Sequence, residues 1–403
     1  MGLAGRVIWR YSEANHNALC ALGSSSEELA EFKPSDGRID PSPGDVICYS
    51  FRTSELEVVK EEVKGLREIY GDKVTLIAGG PHPSGDPYGT LRLGFDKVFI
   101  GPCEEEMAGF LRGEIPKGRK IVTGRSFDIS GYPISSDHLP LPKGIEISRG
   151  CPHGCRFCQV SYVFGFKVHH RPPESVIQFV SRRGMRVVRF IAPNSLAYMA
   201  RKAKEPNLDA IERLLVGLRR KGAKQIFFGT FPSEIRPDWV KPEAMRLIRE
   251  MCDNRTVVIG AQSGSDRMLK LMNRGHSVED VRRAVEITKQ AGLEPRIDVI
   301  FFCPGEEKDD RRETFNFIEE MGRMGVVTYA HIFMPLPGTP WADESPQIDP
   351  KSLRRIESLV GKGYVKGNWR GHLRILGIRS SLHQPHHSSL SKRLREFPRD
   401  DKI

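Results

Sequence analysis

Three cysteines in the stretch Cys151-Pro-His-Gly-Cys155-Arg-Phe-Cys158 constrain this chain more than any other feature. The C-x3-C-x2-C spacing lets three thiolates converge from one loop, and Gly150 and Gly154 permit the tight backbone reversal this needs. Thiolate sulfur suits an iron-sulfur cluster or zinc. A structural zinc site or an electron-transfer cluster closes its coordination with a fourth Cys or His, and the motif has no fourth cysteine. The loop therefore points to an iron left open to another ligand. The competing reading is a zinc knuckle that borrows His153, His169 or His170.

The rest of the chain has to supply a body for that loop. At 403 residues, 39% hydrophobic and 28% charged, it is long enough for two or three globular domains of enzyme size. No run approaches the roughly 18 apolar residues of a membrane span, and the start Met-Gly-Leu-Ala-Gly-Arg lacks a secretory core, so a cytoplasmic protein with no transmembrane segment is expected. The other five cysteines, at 20, 48, 103, 252 and 303, form no disulfide framework, which fits a reducing compartment. Residues 351–403 carry +9 of the chain's net +11, leaving the first 350 almost neutral.

Short apolar runs at 6–10, 45–50, 74–78 and 97–100 read as strands, and Leu56, Val59, Val63, Leu66 and Ile69 make a helical stripe that stops at Gly71. Strands alternating with helices predict a doubly wound parallel sheet over residues 1–125, with ligands at the carboxyl ends of its strands. Those ends carry Ser50 and Thr53, Gly79 and Gly80, and Gly101 with Glu104. A proline-rich linker, 126–143, follows. From Gly144 to Trp341, strands near 145–149, 186–191, 224–229, 256–261, 295–302 and 326–333 alternate with helices and predict a partial barrel of six units, its chemistry at the carboxyl ends. Ser277 with Asp280, and Gly292, mark the start and stop of one of these helices.

Those carboxyl ends hold Gln262-Ser-Gly-Ser265, Met272-Asn-Arg-Gly-His276, Pro304-Gly-Glu306 and Pro337-Gly-Thr-Pro340 in that order. With the cysteine loop, the set resembles the core of the radical S-adenosylmethionine (SAM) enzymes, particularly the form shared by methylthiotransferases and cobalamin-dependent members. The resemblance implies a [4Fe-4S] cluster on Cys151, Cys155 and Cys158, whose fourth iron is chelated by S-adenosyl-L-methionine. It further implies that Phe157 stacks near adenine, Ser233 and Glu234 reach the ribose or amino group, Gln262 and Ser263 line the ribose, Arg274 pairs with the carboxylate, and Pro304 and Gly305 give a backbone contact. A low-potential electron donor of the flavodoxin or ferredoxin type is the implied partner.

The first 125 residues resemble the cobalamin-binding domain that precedes many such cores, which implies cobalamin held near Ser50, Thr53, Gly79, Gly80, Gly101 and Glu104 and methylation of an unactivated carbon. His82-Pro-Ser-Gly85 keeps the H-x-x-G part of the usual axial-ligand motif, but Gly80 stands where its Asp belongs, so His82 is not assigned to cobalt. Methylthiotransferases place three cysteines in this region for a second cluster; Cys20, Cys48 and Cys103 are the candidates here, and Gly79-Gly80 occupies the expected third position. The alternative function is therefore sulfur insertion. An alternative of another class is a non-catalytic iron-sulfur RNA-binding factor using the basic C-terminal extension, 342–403. That extension is expected to be partly disordered, and it lacks the interleaved aromatics that would favour nucleic acid.

Overall fold

The computed structural model describes residues 5–26, 32–125 and 128–377. Its first sheet comprises β1 (Val7–Arg10), β2 (Phe32–Ser35), β3 (Val46–Ser50), β4 (Thr75–Gly79), β5 (Lys97–Ile100) and β6 (Ile121–Thr123). All pairings are parallel, in the order β2-β1-β3-β4-β5-β6, so the winding direction reverses between β1 and β3. Both faces are covered, as the two-residue period of a strand requires. Trp9, Cys48, Ile77 and Phe99 pack one face with Leu19, Met107 and Phe110, while Ile47, Tyr49, Leu76 and Ala78 pack the other with Val59, Val63 and Leu66 of the helix Leu56–Tyr70. The edge strands β2 and β6 are additions to the four expected strands; β2, Phe-Lys-Pro-Ser, has one apolar residue and a proline, and β6 has only three residues.

The second body is an open barrel. Its strands are β7 (Ile145–Glu146), β8 (Ser148–Arg149), β9 (His169–His170), β10 (Val187–Ile191), β11 (Gln225–Phe227), β12 (Thr256–Gln262), β13 (Glu294–Phe301), β14 (Val327–Ile332) and β15 (Val365–Lys366). The parallel orders β11-β10-β7 and β12-β13-β14-β15 meet at one bridge, Ile235 to Ile259. The single strand expected at 145–149 divides at Ile147. Its amide donates to Ile191 O at 3.0 Å while its carbonyl accepts from Arg171 N at 2.9 Å, so the chain leaves β10 and pairs antiparallel with β9.

Helices Pro173–Arg182, Leu208–Arg220, Pro242–Met251 and Val278–Gln290 cover the outer face, burying Val188, Phe190, Ile226, Val257 and Ile259 with Leu214, Leu215, Ile248 and Val281. Ser277 caps the last of these as expected: Asp280 N donates to its hydroxyl at 3.1 Å, and Asp280 returns a carboxylate to the Ser277 amide at 2.8 Å. The inner face is different. Val187 and Arg189 of β10 are exposed, and Val327, Tyr329 and His331 of β14 are half-buried, so the inner wall is open rather than packed shut.

The alternation does not end at Trp341 as expected. Helix Pro350–Gly361, β15 and helix Trp369–Ile375 continue it, with Leu353, Ile356, Leu359 and Trp369 buried against Val299, Phe301, Ala330 and Ile332. The stripe of Leu353, Ile356 and Leu359 is helical, but it lies among basic residues that dominate the composition of the segment. The histidine-bearing stretch with His383, His386 and His387 lies outside the described residues.

The carboxyl edge of the first sheet meets the barrel at the cysteine loop. Gln159 Nε2 donates to Pro81 O at 3.0 Å and to Pro337 O at 2.8 Å, and a Cβ on Gly85 would collide with the Pro337 carbonyl. Ile356→Ala should cost about 2–5 kcal/mol by leaving a cavity under the last helices. A urea denaturation midpoint equal to that of the unsubstituted chain would show that this segment is not part of the folded core.

Candidate active site

The cysteine loop is fixed by backbone contacts from both sides. Cys151 N donates to Gly165 O at 3.1 Å, Cys158 N to Cys155 O at 3.0 Å, and Arg156 N to Met272 O at 3.1 Å. Asn273 Nδ2 bonds His153 O at 2.8 Å and Gly154 O at 3.1 Å. The turn after helix Asp266–Leu271 therefore clips the loop to the end of β12. Cys151, Cys155 and Cys158 all line one cavity of about 80 Å³, together with Glu234, Arg236 and Arg274. They face a volume rather than a point: among the described residues no three His, Cys, Asp or Glu side chains are gathered as a single metal ion would require. Burial pushes the Cys158 thiol up to about 12 and raises that of Cys151, so binding a metal cluster here would release protons.

The wall opposite the cysteines is built over Gly260. A Cβ there would lie 3.0 Å from Gln262 Nε2, 3.2 Å from Arg274 Nη2 and 3.4 Å from Glu234 Oε2, so three of the expected cofactor-contacting side chains converge above it. Gln262 takes a positive φ of 72°, and the β12–β13 register shifts between Ile259 and Gln262, an irregularity that turns Gln262 into the site. Arg274 Nη2 donates to Gly260 O at 2.8 Å and Nη1 reaches Cys155 Sγ at 3.4 Å, with the Phe157 ring 6.0 Å away. Burial raises the Glu234 carboxyl to about 8; Asp298 beside it adds to the rise and Arg274 opposes it.

The remaining expected residues lie elsewhere. Ser233 Oγ bonds Ser195 Oγ at 2.6 Å, and Ser263 Oγ bonds Thr314 Oγ1 of helix Lys308–Arg323 at 3.2 Å; both serines are buried. Gly305 O accepts from Arg267 at 2.7 Å beyond Pro304, at the end of β13. In the first sheet, Thr53 Oγ1 bonds His82 Nδ1 at 3.1 Å, and His82, stacked on Phe51, is buried. A Cβ on Gly80 would lie 2.8 Å from Ser50 Oγ, while Gly79 pairs with Ser50 in the β3–β4 ladder. Gly101 abuts Val163 O of the helix after the cysteine loop, and Glu104 Oε1 accepts from Arg149 Nη1 at 2.7 Å. Cys20, Cys48 and Cys103 sit apart in character: Cys20 donates to Pro140 O and Cys103 to Ile100 O, while Cys48 is buried mid-strand.

Four residues at the site carried no assignment from the sequence. Arg236 lines the cavity, Asn194 Oδ1 accepts from Arg236 N at 3.2 Å, His276 Nε2 bonds Ala261 O, and Asp298 adjoins Glu234. Arg236 Nη1, Arg274 Nε and Asn194 Nδ2 are donors buried without hydrogen-bond partners, while His276, which gives its Nε2 proton to Ala261 O, leaves Nδ1 as an unpartnered acceptor. Buried donors are ordinarily satisfied, so the three donors fit an anionic guest, such as a carboxylate or a thiolate-bound cluster. The signal available for Arg236 and Asn194 was position alone: each lies in a loop at a strand's carboxyl end.

Residues 145–318 match the family model of the Radical SAM superfamily. The chain carries a radical SAM domain. Its three-cysteine loop and the cradle over Gly260 both fall inside the matched span. Among curated proteins, the tRNA-2-methylthio-N(6)-dimethylallyladenosine synthase of Chromohalobacter salexigens is 32% identical over 237 residues, covering 55% of this chain and 51% of that protein. The chain thus spans about half the length of the curated relatives it matches. Among solved structures, the radical SAM methyltransferase TsrM of Kitasatospora setae, with tryptophan and a SAM analogue bound, shares the fold at a TM-score of 0.62. It is 14% identical, over 84% of this chain and 75% of that one. The cobalamin-dependent radical SAM enzyme OxsB follows at a TM-score of 0.55 and 16% identity, over 78% and 52%. At these identities the likeness is one of fold.

Gly260→Val should fill the cradle of the radical SAM domain and abolish SAM binding measured by equilibrium dialysis, with the circular dichroism spectrum unchanged; retained binding would move the cofactor elsewhere. The raised carboxyl of Glu234 makes the folded state hold a proton that the unfolded chain releases in the ordinary carboxylate range. Its contribution to stability is therefore full below about 4.5 and is lost as pH rises through about 8. Glu234→Gln should flatten the fall in urea midpoint between pH 6 and pH 8.5, and an identical fall in both proteins would contradict the buried pair.

Proposed function

We propose that this chain is a radical SAM enzyme in which Cys151, Cys155 and Cys158 would hold a [4Fe-4S] cluster, with Phe157, Glu234, Gln262 and Arg274 holding S-adenosyl-L-methionine beside it. The observation that carries this is the meeting of the three thiols and the Gly260 cradle on one cavity, within the matched domain. The reduced cluster, when bound, supplies the electron that splits the sulfonium and yields a 5′-deoxyadenosyl radical able to abstract hydrogen from an unactivated carbon. The protein's own part is binding and shielding. Arg274 presents a fixed guanidinium to a carboxylate and offsets thiolate charge at Cys155, and Gln262 is turned inward by the β12 irregularity. The open inner wall of the barrel gives a substrate access to that point. Reduced thiols suit a cytoplasmic setting, and among the described residues no helix is long and apolar enough to cross a membrane.

The group transferred has two readings. Sequence likeness over the barrel favours methylthiolation, since the curated relatives at 28–32% identity are tRNA methylthio synthases. Cobalamin-dependent methylation is favoured by the first sheet: Cys20 and Cys103 are each committed to a backbone carbonyl and Cys48 is sealed within a strand, an arrangement that does not suit a second cluster.

Anaerobic reconstitution should give about four irons per chain for one cubane cluster, and 5′-deoxyadenosine on adding SAM and dithionite. Replacing the three loop cysteines with Ala should remove both; zinc without iron would refute the assignment. Arg274→Ala should weaken SAM binding by about 1.5–3 kcal/mol, the worth of a charged hydrogen bond. Cobalt at one per chain after growth with cobalamin supports methylation, whereas eight irons, four of them lost on replacing Cys20, Cys48 and Cys103, support sulfur insertion.

A further inference from the structure

The outer surface of the cysteine loop differs from the rest of the chain in charge. Between Gly150 and His170, and again between Arg267 and His276, the sequence contains no Asp or Glu. These two segments lie against each other through Arg156 N to Met272 O and Asn273 to His153 and Gly154. Arg156, Lys167 and Lys270 are exposed on them and, among the described residues, none makes an ion pair; Asp128 is within electrostatic reach of Lys167 without bonding to it. Tyr162 is close enough to Arg156, Cys155 and Cys158 to feel the charge of each.

An exposed aromatic group sits in the middle of this patch. Phe166 is 53% exposed, and its Cε1 would lie 2.9 Å from a Cβ on Gly154, so the ring rests directly on the loop backbone next to Cys155. Tyr162 stands edge-on to it at 5.6 Å and donates to Gly154 O at 3.1 Å. Beneath these two rings Gly154 and Cys155 are buried. Elsewhere on the surface, cations are commonly matched, as in Arg282 with Glu320 and Arg355 with Glu319.

We propose that the patch of Arg156, Lys167 and Lys270 around Phe166 is the docking face for a small acidic electron-carrier protein, and that electrons enter the site through the Gly154 turn. This rests on the radical SAM reading above. In each transfer the carrier is oxidised by one electron. S-adenosylmethionine would accept that electron by way of the cluster, its carbon-sulfur bond parting to give methionine and the 5′-deoxyadenosyl radical, which carries the unpaired electron. Unpaired cations steer an acidic partner to this side of the molecule, and a low-charge aromatic centre gives a contact that forms and parts quickly, as a redox encounter requires. The absence of carboxylates on both segments removes the repulsion that such a partner would otherwise meet.

The test compares two reductants on one enzyme. The triple variant Arg156→Glu, Lys167→Glu, Lys270→Glu and the unsubstituted protein are reconstituted and matched for iron. Each is assayed for 5′-deoxyadenosine with dithionite, and with reduced flavodoxin and its reductase. The proposal expects equal rates with dithionite, at least a tenfold loss in kcat/KM for flavodoxin, and a steep fall with added salt only for the unsubstituted protein. Equal rates with flavodoxin would overturn the docking face, as would an equal loss with both reductants, which would make the patch structural. No nucleoside from the unsubstituted protein under dithionite would instead refute the SAM-cleavage reading, and the docking face with it.

Discussion

The guanidinium of Arg149 ties the two bodies of this protein together at the point where the cysteine loop begins. It donates to Glu104 of the first domain at 2.7 Å and to both carboxylate oxygens of Glu146 at 2.9 and 2.7 Å, with the Phe164 ring 5.7 Å away. The two carboxylates outweigh the cost of burial and hold the charge on. Removing one partner of such a buried pair typically costs about 3–5 kcal/mol, because a charge is then left without compensation. Two residues further on comes Cys151, so the same interaction that docks the first sheet also sets the launch angle of the loop.

From that anchor the site follows by short steps. The chain switches from β10 to β9 at Ile147, the loop returns through Gly165, and the Met272-Asn273 turn clips it against the end of β12. Three thiols then face the cradle over Gly260, where Gln262, Arg274 and Glu234 converge. The open inner wall leaves that meeting point reachable from the side, which a closed barrel filled with side chains would not allow.

Much of this was legible in the sequence, for physical reasons that differ by element. The cysteine loop and the helix capped by Ser277 are local: their geometry is written in residues three or four apart. Doubly wound order was legible because Leu56 to Ile69 and the strands around it have distinct periods. Short strands such as β2, β6 and β15 have no period to read, and helix Pro350–Gly361 was hidden because its apolar stripe is embedded in basic residues. Side-chain commitments across distance were the least legible. Glu104 stands at a strand end where a ligand would lie, yet only the packed structure shows its carboxylate on Arg149, 45 residues later. Ser263 likewise sits in a motif, and Ser233 at a strand's carboxyl end, but they are held by Thr314 and Ser195. Arg236 and Asp298 are the converse case, polar residues without a motif that folding brings to the cavity.

A cluster held by the three cysteines would leave one iron open to the amino acid end of S-adenosylmethionine, with Arg274 beside it. Electron paramagnetic resonance of the reduced, reconstituted protein addresses it most directly, recorded before and after adding S-adenosylmethionine. The expected result is a [4Fe-4S] signal whose g-values shift on addition, and ¹⁷O- or ¹⁵N-labelled cofactor whose carboxylate and amino nuclei couple to the cluster. An unchanged spectrum with no coupling, from protein that demonstrably binds the cofactor, would contradict it.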